Sequence, residues 1–160
     1  MAIYARSHIN KVTDAIIGSA IEVHRHLGPG LFESAYHSCV VYELRQRGLR
    51  FTSRRTLPLT YKRLEIDAAY EIDLWVEDLI VVELKCVREL APVHETQTLT
   101  YVKLTGAPVG LLINFYVPLL KDGIKRVINP EHEVIDDFDP TQRHKLAHAQ
   151  TTAARTKCEP

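Results

Sequence analysis

Tyr70-Glu71-Ile72-Asp73-Leu74-Trp75-Val76-Glu77-Asp78-Leu79-Ile80-Val81-Val82-Glu83-Leu84-Lys85-Cys86 is the stretch on which the reading of this chain turns. Two runs of alternating residues flank an acidic pair, the pattern of two β-strands joined by a tight turn. In the first run Ile66, Ala68, Tyr70, Ile72, Leu74 and Val76 are expected on one face, and Asp67, Ala69, Glu71, Asp73 and Trp75 on the other. In the second, Ile80, Val82, Leu84 and Cys86 share one face, and Val81, Glu83 and Lys85 the other. Asp73 and Glu83 are hard oxygen donors of the kind that hold a divalent cation. Lys85, two residues on, can orient a water or neutralise developing negative charge. An exposed cross-strand ion-pair ladder accounts for the same residues without any site. Parity separates the two readings. A turn with an even number of residues puts Asp73 and Glu83 on opposite faces, whereas an odd number, or a bulge, puts them together. A shared site requires the odd register.

Downstream, Ala91-Pro92 opens a helix of about residues 93–105, ended by Gly106. His94, Gln97 and Tyr101 are three and four apart and line one of its faces. Val109 to Tyr116 is a near-continuous apolar run, suited to a buried strand parallel to its neighbour after a helical crossover. Lys121-Asp122-Gly123 signals a turn, and Ile124 to Ile128 a short last strand. From Asn129 onward there is no periodicity; residues 141–160 are expected to be a mobile tail, with a short helix near Arg143 to Ala154 as the alternative.

Upstream, residues 1–8 carry no pattern and are expected to fray. From Asn10 to Leu27, apolar residues at three- and four-residue steps predict an amphipathic helix, stopped by Gly28-Pro29-Gly30. A second helix is expected over residues 31–47, with Leu31, Ala35, Cys39, Val40 and Leu44 inward and Gly48 after its end. Residues 49–61 are strand-like, with Pro58 at an edge or a bulge. Two helices, three strands, a helix and two strands make an α/β protein: a mixed sheet of about five strands flanked by helices. The division expected is an arm over residues 1–9, one domain over 10–130 and a tail over 131–160.

At 160 residues, with 46% hydrophobic and 25% charged residues, the chain can bury a core of its own. No apolar run approaches the ~20 residues of a membrane span. No signal peptide is evident either, so a cytoplasmic protein without membrane partners is expected. Cys39, Cys86 and Cys158 are widely separated and form no metal framework. The P-loop, GxSxG and HExxH patterns are absent. Net charge is zero, but Arg45 to Arg63 holds seven basic residues and no acid, and Glu65 to Glu83 seven acids and no base. Arg45, Arg47, Arg50, Arg54 and Arg55 are therefore the candidates for phosphate contacts, against a purely solubilising role.

Gly30-Leu31-Phe32-Glu33-Ser34-Ala35-Tyr36 reads as a GxxExxY signature. Taken with Asp73, Glu83-Leu84-Lys85 and Gln97-Thr98-Leu99-Thr100-Tyr101, it resembles the GxxExxY proteins of the PD-(D/E)xK nuclease superfamily over about residues 10–130. The Gln-x-x-x-Tyr element is similar to that of the RecB-like branch. The resemblance implies a restriction-endonuclease-like core and metal-dependent hydrolysis of phosphodiesters in DNA or RNA, with Mg²⁺ or Mn²⁺. It implies Asp73, Glu83, Lys85, Gln97 and Tyr101 as catalytic residues. Asp73 and Glu83 would be metal ligands, joined by Glu33 and by His24 on the first helix.

Simpler roles stand beside these. Glu33 in a first helical turn offsets the helix dipole. His24 shares a face with Ile17, Ala20 and Leu27, as a core histidine would. Tyr36 is either packing or a hydroxyl aimed at the site, Trp75 a base-stacking or a core residue, and His94 a helper or a surface histidine. A catalytically silent nucleic-acid-binding or complex-forming module is the alternative to a nuclease, and a homodimer or a partner protein is open to both.

Overall fold

The structure is a computed structural model that describes residues 1–142, 145 and 146. The expected tail and its alternative helix lie almost wholly outside the described residues, as does Cys158. The elements run β1 (Ile3–Ala5), α1 (Arg6–Leu27), α2 (Glu33–Gln46), β2 (Phe51–Tyr61), β3 (Leu64–Val76), β4 (Ile80–Lys85), α3 (Pro92–Thr105), β5 (Val109–Asn114), β6 (Ile124–Ile128) and β7 (Glu133–Ile135). Five strands form one mixed sheet in the order β2-β3-β4-β5-β6, with β4 and β5 parallel and the other neighbours antiparallel. The architecture is the α/β one that the order of elements predicts, and it is consistent with the restriction-endonuclease-like core that the resemblance implies.

Alternation in the central strands divides the core in two. Ile80, Val82 and Leu84 of β4, with Leu111 and Ile113 of β5, pack with Ile9, Val12, Ile16 and Ala20 of α1 and with Tyr36, Val40 and Leu44 of α2. Val81 faces the other way, into a smaller cluster with Tyr101 and Val102 of α3. Each fully buried Leu, Ile or Val of these layers contributes roughly 1.5–3 kcal/mol. The approach of α3 to β5 depends on Gly110, where a Cβ would lie 2.6 Å from Thr98 Cγ2 and 3.0 Å from Val102 Cγ1. Gly106, left-handed at φ 71°, ends α3 as expected.

Three expectations are corrected. Residues 1–8 do not fray: Ile3–Ala5 pairs in parallel with Glu133–Ile135, and α1 begins at Arg6. That pairing spans nearly the whole chain, so neither short segment carries a local signal. The buried face of α2 comprises Tyr36, His37, Val40 and Leu44, while Leu31 lies before the helix and is exposed and Cys39 is half-buried. Tyr36 rotates the face inward by stacking on Phe115 at 4.3 Å between centroids. The alternation of β3 does not run unbroken either. Leu74 and Val76 belong to the α1/α2 core, but Tyr70 and Ile72 belong with Tyr101. The reversal falls at Asp73. Across from it, between the pairs Ser53↔Leu74 and Arg55↔Ile72, Arg54 adopts φ 51°. Pro58 sits where a bulge was expected, at the register shift between Leu57 and Leu59.

Candidate active site

The β3–β4 turn sets the geometry. Leu74↔Val82, Trp75↔Val81 and Val76↔Ile80 are paired, which leaves three residues, Glu77, Asp78 and Leu79, between the strands. Glu77 and Asp78 have φ of 53° and 54°, and the Leu79 N–H donates to the Val76 carbonyl at 3.0 Å. Leu79, the odd residue, is buried in the α1/α2 core, which fixes the parity. Arg50 holds the turn from outside: its backbone N–H and guanidinium donate to the Glu77 carboxylate at 2.7, 3.1 and 2.9 Å. These bonds hold Glu77 below the usual carboxylate range, the backbone N–H of Arg50 contributing most. The register is thus the odd one that a shared site requires.

Beyond Leu74↔Val82 the ladder gives way to carboxylates. The Asp73 N–H donates to Glu83 Oε1 at 3.3 Å, and the Leu84 N–H donates to Asp73 Oδ2 at 2.8 Å. Each acid therefore caps the backbone of the opposite strand, and the two carboxyl groups meet rather than lie on opposite faces. Lys85 Nζ is 3.7 Å from Glu83 Oε2. Glu83 is buried, 2% exposed, and its pKa is pushed up to about 8. Burial is the largest cause and the Asp73 charge the next, with Lys85 opposing both. At neutral pH this carboxyl largely keeps its proton, which is the signature of negative charge crowded into a dry place.

Two helices bring groups to this pair. Glu33, in the first turn of α2, is raised by burial and by Asp73, and lowered by Lys85, Arg54 and His37. Gly30 and Tyr36 explain how the preceding loop presents it. Gly30 takes φ 105°, a conformation that side chains disfavour. The fully buried Tyr36 donates its hydroxyl to the Gly28 carbonyl and accepts the Leu31 N–H at 3.2 Å. Tyr36 is thus a clamp on the loop as well as packing for Phe115, and its hydroxyl is spent on that loop. From α3, the Tyr101 hydroxyl receives the Gln97 amide N–H at 3.0 Å. Its pKa is raised by burial first and then by the Glu83 and Asp73 charges, which places it over the same carboxylates.

The other sequence candidates lie elsewhere or are engaged. His24 is buried, and its Nε2–H donates to the Val117 carbonyl at 2.8 Å. His24 thus has the hydrogen-bonded environment of a core histidine, with Nε2 committed to that carbonyl. His94 Nδ1 accepts the Ala91 N–H at 3.0 Å, capping α3. Trp75 lies under the Arg55 guanidinium, 4.2 Å from its ring centroid. Arg45 lies over Phe51 and Arg47 against Gly18. Arg50 is held by Glu77, and Arg54 is 3.6 Å from Glu71. Arg54 is the member of this basic set whose charge reaches Glu33.

Two supporting residues escaped the sequence reading. His37 is buried with Nε2 at 3.3 Å from the Asp73 carbonyl oxygen and 3.1 Å from Ser53 Oγ, bracing β3 at its reversal. Its i,i+4 spacing from Glu33 was the available signal. The buried Asn114 accepts the Val87 and Tyr116 N–H groups and donates to the Val87 carbonyl at 2.8 Å. It ties down the chain just after Lys85, and nothing local distinguishes it from any asparagine at a strand end.

Among the described residues, no three His, Cys, Asp or Glu side chains close into a metal cage. The Asp73–Glu83 pair is nonetheless a fitting partial set. Its donors are hard oxygens, its two charges repel, and a cation such as Mg²⁺ normally keeps several of its own waters.

Fold and site together make this an α/β protein with a central mixed sheet flanked by helices and an Asp–Glu–Lys cluster where two of its strands part. The sequence model of the PD-(D/E)XK nuclease superfamily matches residues 10–127, and the chain belongs to that superfamily. No curated protein and no solved structure matches it.

Proposed function

We propose that this protein is a metal-dependent nuclease that hydrolyses phosphodiester bonds in DNA or RNA, and that it is a GxxExxY-type, RecB-like member of its superfamily. The observation that carries this reading is the meeting of Asp73, Glu83 and Lys85 beneath Gln97 and Tyr101. Asp73 and Glu83 would hold Mg²⁺ or Mn²⁺, with Glu33 close enough to act through a bound water. The cation, when bound, supplies an acidified water and charge neutralisation at the phosphoryl oxygens. Loss of the Glu83 proton accompanies cation binding, since a protonated carboxyl is a poor ligand. Lys85, beside Glu83, would orient the attacking water and stabilise the transition state. Tyr101, held by Gln97, offers a hydroxyl beside the phosphate. Arg54, at the edge of the site, is the best placed of the basic residues to meet the backbone of the substrate.

The test is cleavage of single- and double-stranded DNA and of RNA with Mg²⁺ or Mn²⁺. Lys85→Ala is expected to lower the rate by about 10²–10³-fold, the usual effect of removing one donor to transition-state charge. Turnover unaffected by Lys85→Ala would remove the site. Salt-dependent binding without turnover on every substrate would select the silent binding module instead.

A further inference from the structure

The surface between the start of α2 and the end of β5 is apolar, exposed and unused by the chemistry above. Phe32, the residue before Glu33, is 86% exposed; its carbonyl accepts the Ala35 N–H at 3.0 Å, while its ring takes no part in capping α2. Tyr116 is 48% exposed, and Leu27, Leu31 and Leu119 are also open. Pro29 and Gly30 share a depression of ≈ 370 Å³ with Tyr116, Val117 and Pro118, so the two loops form one surface, with Phe32 outside the depression and two residues further along the first loop. It continues into a second depression of ≈ 450 Å³ reaching Arg25 and Lys121. Among the described residues, no acid lines either one. This surface adjoins the candidate site at both ends of its own chain: Phe32 precedes Glu33, and Asn114, which fixes the Tyr116 N–H at 3.2 Å, pairs with Lys85 in the sheet.

We propose that Phe32 and Tyr116 form a base-stacking surface that receives unpaired bases of a single-stranded nucleic acid entering the Asp73/Glu83/Lys85 site. The proposal rests on the nuclease reading for what happens at that site. Three features select this occupant. An open aromatic ring offers a face that any base can stack on, provided the base is not already stacked in a duplex. The rim carries Arg25 and Lys121 and, among the described residues, no acid, which suits a polyanion with apolar faces. Finally, the protein has no net charge, and Arg50 and Arg55 are already engaged, so a grip on a duplex through phosphates alone is weak.

The experiment measures binding of three fluorescein-labelled 20-mers in Ca²⁺ at low salt: oligo-dT, an abasic strand of equal length, and a duplex. Cleavage in Mn²⁺ is followed in parallel. Wild type is expected to bind oligo-dT at least tenfold more tightly than the abasic strand or the duplex. Phe32→Ala, at a residue too exposed to carry the fold, is expected to weaken oligo-dT binding by about tenfold and to leave the abasic strand unaffected. Tyr116→Ala is expected to act in the same direction. Equal binding of oligo-dT and the abasic strand, or no effect of Phe32→Ala, overturns the stacking surface, while Lys85-dependent cleavage would still stand. Phe32-dependent oligo-dT binding with no cleavage supports the surface and removes the nuclease reading. Concentration-dependent self-association abolished by Phe32→Ala, with no strand bound, assigns the patch to a second copy of the chain and overturns the proposal.

Discussion

Replacing Glu83 with glutamine isolates the electrostatic state of the site. In the folded protein the Glu83 carboxyl keeps its proton to about pH 8, against an ordinary value of 4.5. Between those two values the folded state binds more protons than the unfolded state, so this residue makes stability fall as pH rises. The contribution is complete below about pH 4.5 and lost by about pH 8. At 1.36 kcal/mol per pH unit the whole window amounts to about 5 kcal/mol. Relaxation of the surroundings as the carboxyl ionises acts against burial, so a working figure is about 2–4 kcal/mol. That is a large part of the roughly 5–15 kcal/mol that holds a domain folded. Glutamine has nearly the same shape, can still accept the Asp73 N–H, and does not ionise. In chelator, urea unfolding of both proteins from pH 5 to pH 9 is expected to show Glu83→Gln within about 1 kcal/mol of wild type at pH 5. At pH 9 the variant should be the more stable by about 2–4 kcal/mol relative to that baseline. Other titrations are common to both proteins and cancel in the difference. Parallel stability curves over this range would refute the crowded, dry carboxyl pair.

Mn²⁺ affinity measured by calorimetry is expected to rise by up to about tenfold per pH unit towards pH 8 and then level off, with about one proton released per ion below pH 8; Asp73→Ala should abolish the binding, and a pH-independent affinity would exclude Glu83 as a ligand. Tyr36→Phe leaves the Phe115 stack but strands the Gly28 carbonyl and Leu31 N–H, and is expected to destabilise by about 1–3 kcal/mol in urea unfolding. Gly110→Ala forces a methyl against Thr98 and Val102 and is expected to cost about 1–3 kcal/mol and to shift the α3 resonances, Tyr101 among them, in an NMR spectrum. Unchanged spectra would mean that α3 is not held against β5 as described.

The odd register between Asp73 and Glu83 shows where local information ends. Period-2 alternation marks both strands, and Glu77-Asp78 marks the turn. Whether Leu79 belongs to the turn or the strand has no local answer, because an apolar residue fits both. Its burial in the α1/α2 core decides it, and with it the meeting of the two carboxylates. The reversal of β3 at Asp73 is equally silent in the sequence, because Tyr70, Ile72, Leu74 and Val76 are all large and apolar whichever face they take. His24 was legible as a core histidine with an alternative as a ligand. The Val117 carbonyl, three residues past the end of β5, engages the His24 Nε2 and so supplies the hydrogen bond that a core histidine needs.

The sequence by itself determined the element order, the α/β class, the helix ends at glycine and the membership of Asp73, Glu83, Lys85, Gln97 and Tyr101 in two short motifs. The order, the class and the helix ends follow from periodicity and turn chemistry, which act over a few residues; the motif membership is what the resemblance implies. Only the tertiary structure decided that β1 joins β7, that α2 turns Tyr36 and His37 inward, and that most of the basic segment is paired with local partners. It alone decided that the Tyr70–Cys86 hairpin opens at its acids and that Glu83 keeps a proton to about pH 8. Those outcomes depend on dehydration and on charges brought together from α2, β3, β4 and α3, and no window of the chain contains them.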